Sequence, residues 1–202
     1  MDIGPRATSQ LCAPGANTVV TGGEEQLRPA SVDWPNDRQR SRCYRSRMNG
    51  SEISNDQQFM QKALDQAQKS YNEGGLPIGA IMVERGAIIA EGHNRRVQNG
   101  DPIAHGEMDC LRRAGRRPRY DSITLYTTLS PCMMCAGTVV QFGIGRVVVG
   151  EKENFPGNVE FLRSHGVNVT VLNDPGCIAL MKRFISERPD LWDEDIAGRS
   201  NV

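Results

Sequence analysis

His105-Gly106-Glu107 and, downstream, Ser130-Pro131-Cys132-Met133-Met134-Cys135 govern the reading of the whole chain. In the second stretch Ser130 can cap a helix and Pro131 suits a first helical position. The spacing therefore predicts Cys132 and Cys135 in the opening turns of a helix. Three-residue spacing puts both sulfurs on one face. The positive end of the helix dipole favours thiolates over thiols, the form in which sulfur binds a metal. Taken alone, the pair suits a redox dithiol or a structural half-site as readily as a catalytic centre.

His105 and Glu107 break that tie. Two residues on a helix are about 200° apart around its axis, so both side chains reach one target only at the first turn. There His105 supplies a third ligand, and Glu107 approaches the same point without ligating. One imidazole and two thiolates leave the fourth position of a zinc ion open to water, which distinguishes a catalytic from a closed structural site. Zinc lowers the pKa of such a water towards about 7, and a carboxylate beside it accepts the released proton. A solvated surface glutamate is the bland alternative, and the metal motif outweighs it.

Composition sets the frame. A chain of 202 residues suits one ordinary domain with extra sequence. The formal net charge is +0, so no global basic field recruits nucleic acid. Hydrophobic residues make up 38% and mean hydropathy is -0.48, without an apolar run of the 18 or so residues that span a bilayer. The N-terminus lacks the basic-then-apolar layout of a secretory signal, and Asp2, Glu24 and Glu25 argue against a transit peptide. Of six cysteines, Cys12, Cys43, Cys110 and Cys177 are scattered, which points to a reducing compartment and a cytoplasmic protein.

Residues 1–52 carry Pro and Gly punctuation and an arginine-rich run from Arg38 to Arg47, with no persistent period. They read as a disordered extension. Residues 53–198 read as the folded domain and 199–202 as a tail. Ser54-Asn55-Asp56 is expected to cap a helix carrying Phe59, Met60, Ala63, Leu64 and Ala67, stopped by Gly74-Gly75. Runs from Ile78 to Val83 and Ala87 to Ala90 form a hairpin. A helix near Ala104 to Ala114 follows, then strand Ile123 to Thr127, helix Cys132 to Phe142 and strand Arg146 to Val149. The pattern closes with helix Val159 to Ser164, strand Asn168 to Leu172 and helix Gly176 to Glu187. This alternation specifies the α/β class: a three-layer α/β/α sandwich around a central mixed sheet of about five strands.

From about Asp56 to Ile196 the chain resembles the fungal-type cytosine deaminases of the cytidine deaminase-like zinc superfamily. The resemblance rests on Glu73-Gly74-Gly75-Leu76-Pro77-Ile78-Gly79, Gly92-His93-Asn94, the His105 and Cys132 motifs, and Leu125 to Leu129. Glu151 with Asn154-Phe155, and Glu187-Arg188-Pro189 through Trp192 and Asp195, point to the fungal branch in particular. The resemblance implies Zn2+ as cofactor, held by His105, Cys132 and Cys135, with Glu107 catalytic. It also implies substrate contacts from Asn94, Asp195, Gly106, Ser130, Leu129, Ile78, Phe155 and Trp192. Asp195 would accept a hydrogen bond from N1-H of free cytosine, a position that the sugar occupies in a nucleoside. The implied reaction is hydrolysis of cytosine to uracil, with 5-methylcytosine as a candidate second substrate, in a homodimer.

Two rival readings follow from the residues. Arg112, Arg113, Arg116, Arg117 and Arg119 form a basic patch that would suit a tRNA or other nucleic-acid deaminase; a solvated helix end is the plainer account, and the acidic neighbours of Trp192 would repel phosphate. A non-catalytic, zinc-stabilised partner subunit is the other, and it would have no use for Glu107. His93 and His165 read as turn or loop residues without a metal role. Residues 190–195 alone would read as a solvated acidic tail.

Overall fold

A computed structural model describes the backbone of residues 50–196 and side chains from residue 55. The disordered extension expected over 1–52, with its arginine run, lies outside the described residues except at its last positions. So does the tail at 199–202. Where the extension was expected to continue, the backbone is already helical: α1 spans Gly50–Asn72. Ser54 therefore does not start the helix. Asp56 is instead drawn inward, accepting from Tyr126 Oη at 2.8 Å and pairing with Arg146 at 2.6 Å. Gly74, at φ 85, ends α1 in the left-handed conformation that a glycine adopts without strain.

Five strands follow: β1 Gly79–Glu84, β2 Ala87–His93, β3 Ile123–Leu129, β4 Arg146–Glu151 and β5 Asn168–Val171. Their order in the sheet is β2-β1-β3-β4-β5. β1 runs antiparallel to both β2 and β3, whereas β3, β4 and β5 are mutually parallel. The mixed five-stranded sheet is the one expected from sequence. β2 and β3 run further than their apolar runs suggested, to His93 and Leu129. Gly92-His93 thus belongs to a strand rather than a turn, and the buried His93 ring meets Glu73 Oε2 at 2.9 Å.

Side-chain alternation along the strands separates the two faces. Ala80, Met82, Leu125, Val147 and Val149 pack under α3 (Gly106–Ala114), α4 (Met133–Phe142) and α5 (Val159–Ser164). Ile81, Val83, Tyr126 and Val148 pack under α1 and Cys177 of α6 (Pro175–Glu187). Three layers result. Gly92 lets α3 approach β2 closely, since a Cβ there would meet the Cys110 nitrogen at 2.3 Å. α2 (Arg96–Asn99) is a single turn with no sequence signature.

The largest departure lies at the C-terminus. Residues 189–195 form helix α7 (Pro189–Asp195), not a solvated tail. Asp190, Asp193 and Glu194 face outward, but Asp195 turns inward and Trp192 is buried with Leu76, Ile78, Leu129, Met181, Phe184 and Ile196. This third cluster closes one end of the sheet.

Candidate active site

The N-termini of α3 and α4 converge beside the end of β3. His105 is the N-cap of α3, with φ -68 and ψ 162, and Glu107 follows two residues later in the first turn, as the two-residue spacing requires. Cys132 is the N-cap of α4, with φ -67 and ψ 172. This displaces the expected cap by two residues. Ser130 does not cap because its hydroxyl donates to Pro156 O at 2.9 Å, so Cys132 sits just outside the helix and Cys135 within it. Both cysteines still benefit from the positive end of the helix.

One ligand atom from each of His105, Cys132 and Cys135 lies within 4.8 Å of the others. The imidazole Nδ1 faces Cys132 Sγ at 3.6 Å. This cluster of one nitrogen and two sulfurs fits the preferences of a tetrahedral zinc ion and leaves a position uncommitted. Close approach is enforced by Gly106, where a Cβ would stand 2.8 Å from Ile78 O.

The charges of these groups depend on one another. A hydrogen bond from Cys135 brings the Cys132 thiol down to about 4, against burial and with help from His105. Cys135, the donor to that thiolate, is pushed well upward. Burial lowers His105, but the Cys132 hydrogen bond and the Glu107 and Asp195 carboxylates outweigh it and raise the imidazole to about 9. Burial pushes Glu107 up, with the Cys132 thiolate adding to the effect and His105 opposing it. A bound divalent ion reverses this order, because it requires two thiolates and a neutral imidazole.

A cavity of about 460 Å³ opens onto these groups. Of the residues expected from sequence, Ile78, His105, Glu107, Leu129, Ser130, Cys132, Phe155, Trp192 and Asp195 line it. Met133, Met134, Asn158 and Ile196 also line it and carried no signal of their own in the sequence. Phe155 and Trp192 meet edge to face, with centroids 6.0 Å apart. The loop bearing Phe155 is fixed by the buried Glu151, which accepts from Glu153 N at 2.6 Å, Asn154 N at 3.0 Å and Asn154 Nδ2 at 3.1 Å.

Asn94 and Gly106 do not line the cavity wall. Asn94 Oδ1 accepts from Arg96 N at 3.1 Å, leaving its buried Nδ2 without a hydrogen-bond partner. Asp195 Oδ1 is likewise buried without a hydrogen-bond partner, 3.5 Å from His105 Nε2. His165 caps α5 and stacks on Phe161 with centroids 4.2 Å apart, far from any metal role.

Residues 53–151 match the family described as the cytidine and deoxycytidylate deaminase zinc-binding region. The chain is also 50% identical over 144 residues to the cytosine deaminase of Candida albicans, covering 70% of this chain and 96% of that protein. The chain belongs to this deaminase family. Its other relatives show how widely the fold is used. This deaminase is 41% identical over 101 residues to the tRNA-specific adenosine deaminase of Bacillus subtilis, covering 48% of this chain and 63% of that one. It also superimposes with a TM-score of 0.57 on a structure from a study of A-to-I editing by tRNA:A34 deaminases. That match is 29% identical and covers 61% of this chain and 99% of the other. His105, Cys132 and Cys135 are thus positioned to hold a metal ion in a chain of a zinc-binding deaminase family, and the mixed sheet is the fold of that family.

Proposed function

We propose that this deaminase converts free cytosine and water into uracil and ammonia. One observation carries the choice of substrate. Helix α7 brings Trp192 and the buried Asp195 carboxylate into the cavity wall, with Oδ1 lacking a hydrogen-bond partner. An acceptor in that place suits the N1-H of a free pyrimidine and conflicts with a sugar at the same atom. The near full-length similarity to a cytosine deaminase supports the same reading.

Each residue then has a task. Phe155, Trp192, Ile78 and Leu129 clamp the two faces and edge of the ring with apolar surface. Asn94 Nδ2 donates to the pyrimidine carbonyl, and the backbone around Gly106 and Ser130 orients the ring. Zinc, when bound, supplies the Lewis acidity that brings a water close to ionisation at neutral pH. Glu107 takes one proton from the water whose oxygen bonds to C4 and delivers it to ring N3. The same carboxylate moves the second proton to the exocyclic nitrogen. The C4–N4 bond then breaks, ammonia departs, and the C4 oxygen stays as the uracil carbonyl. Glu107 ends as it began.

The tRNA relatives make a nucleic-acid substrate the principal competitor. Its expected footprint is weak here, because Arg112, Arg113, Arg117 and Arg119 are ion-paired with Asp101, Asp109, Glu84 and Asp121. Exposed Met133 and Phe142 on α4 support a homodimer face. No helix among the described residues is long and apolar enough to cross a membrane, and cytoplasmic pyrimidine salvage completes the proposal. Ammonia release from cytosine, 5-methylcytosine, cytidine, guanine and an anticodon stem-loop, assayed in parallel, tests it. Turnover confined to the free pyrimidine bases is expected; faster turnover of the stem-loop or of cytidine overturns it.

A further inference from the structure

Arg96 opens the one-turn helix α2 and sends its guanidinium across to α7. Nη2 lies 2.6 Å from Glu194 Oε1 and Nε lies 3.6 Å from Asp195 Oδ1. The Arg96 side chain is 14% exposed and that of Asp195 7%, whereas Glu194 is 61% exposed. The backbone N-H of the same residue donates to Asn94 Oδ1 and so directs the Asn94 amide. One residue thereby touches both polar groups assigned to the two ends of the base, yet it is not part of the cavity wall.

The consequences of this arrangement are geometric. Asp195 is the last residue of a seven-residue helix, and α7 is tied to the body of the protein mainly by apolar contacts of Trp192, Leu191 and Ile196. Such contacts set which face of the helix is buried, and the direction of a carboxylate at its last residue is set by polar partners. His105 and Arg96 are the two cationic or potentially cationic groups within pairing distance of Asp195 among the described residues. The Arg96 guanidinium reaches both carboxylates of α7 at once, its planar fork spanning Glu194 and Asp195.

Resting on the assignment of a free pyrimidine as substrate, we infer that Arg96 is a positioning residue. It clamps α7 over the pocket through Glu194 and aims Asp195 at the N1 position, so discrimination for an unsubstituted N1 depends on a side chain that does not touch the base.

The test uses the zinc-loaded full chain and three variants: Arg96→Ala, Arg96→Lys and Glu194→Gln. The discriminating substrates are cytosine and 1-methylcytosine, which differ only at N1. Loss of a charge-assisted contact predicts a rise of about tenfold or more in KM for cytosine in Arg96→Ala, with kcat changed less than about threefold. The preference for cytosine over 1-methylcytosine should shrink by a similar factor. Arg96→Lys should recover part of both, because it restores the charge. Glu194→Gln should loosen α7 while keeping most of the N1 preference.

A second readout needs no substrate. In a Trp34→Phe background Trp192 is the sole tryptophan, and acrylamide quenching reports its exposure. Arg96→Ala should raise the quenching constant about twofold, since lost clamping opens the buried face of α7. Unchanged quenching together with an unchanged N1 preference overturns the inference. Raised quenching with equal losses on both substrates reduces Arg96 to a structural tie and overturns the positioning role. If the unmodified enzyme ignores cytosine, the substrate assignment fails by itself, and the quenching result still decides the clamp.

Discussion

Asp195 Oδ1 lies 3.5 Å from Nε2 of His105, so a single imidazole links the metal-binding sulfurs on one side to the pocket-closing helix on the other. On the proposed assignment, the metal-holding and base-recognising groups therefore share one direct contact. A carboxylate facing the outer nitrogen of a metal-ligating histidine also fixes the ring's orientation and tautomer.

Removing the metal should cost stability as well as turnover. Chelation removes the ion that three donors within 4.8 Å of one another are placed to hold. Dialysis against a chelator is expected to abolish ammonia release and lower Tm by roughly 5–10 °C, and one equivalent of zinc should restore both. Full activity in protein shown by elemental analysis to be metal-free would exclude the zinc mechanism.

The N1-facing carboxylate has its own signature. Asp195→Asn keeps the volume but removes the charge and presents an amide that can turn either its donor or its acceptor to the ring. KM for cytosine should rise about 10- to 100-fold, and the handicap of cytidine relative to cytosine should narrow. An unchanged ratio would remove Asp195 from base recognition.

In the metal-free protein Cys132 should behave as a thiolate over most of the accessible pH range. Its folded pKa of about 4 lies below the ordinary thiol value of 9.0. Ionisation is thus complete well below neutrality and is lost only as pH falls through about 4. Alkylation of apo-protein by iodoacetamide should therefore proceed at pH 6 and fall away near pH 4. Cys110 and Cys177, whose thiols are pushed upward by burial, should stay unlabelled. A Cys132 profile with its inflection near pH 9, read by peptide mass spectrometry, would contradict the charge arrangement.

Far from the site, Asp56 ties α1 to the sheet through Tyr126 and a two-toothed contact with Arg146 at 2.9 and 2.6 Å. Asp56→Ala removes the acceptor of the Tyr126 hydroxyl and one carboxylate partner of the largely buried Arg146 guanidinium. It should lower unfolding free energy by about 2 kcal/mol in urea titration, with KM for cytosine unchanged. A loss below about 0.5 kcal/mol would mean that water replaces the carboxylate freely.

Much of this protein is written in local spacing. The convergence of His105, Glu107, Cys132 and Cys135 was legible because it depends on neighbours a few residues away and on helix termini. The strands were legible as short apolar runs, and the burial of Ile81 and Met82 on opposite faces of the sheet explains why β1 is apolar throughout. What escaped depends on distant partners. Ser130 looked like a cap until Pro156 took its hydroxyl. His93 looked like part of a turn because Glu73, which satisfies its ring, lies 20 residues away. Asp-Leu-Trp-Asp-Glu-Asp reads as solvated acid, and only the cavity behind Trp192 makes it a helix with a buried side. Arg96 gave no sign, since Glu194 is 98 positions downstream.

Glu107→Gln tests the central claim most directly. The substitution keeps size and hydrogen bonding but cannot carry a proton. Zinc per chain should remain at one equivalent, while kcat for ammonia release from cytosine should fall by about 10²- to 10⁴-fold. A variant that holds its zinc and deaminates cytosine at the normal rate would contradict the account.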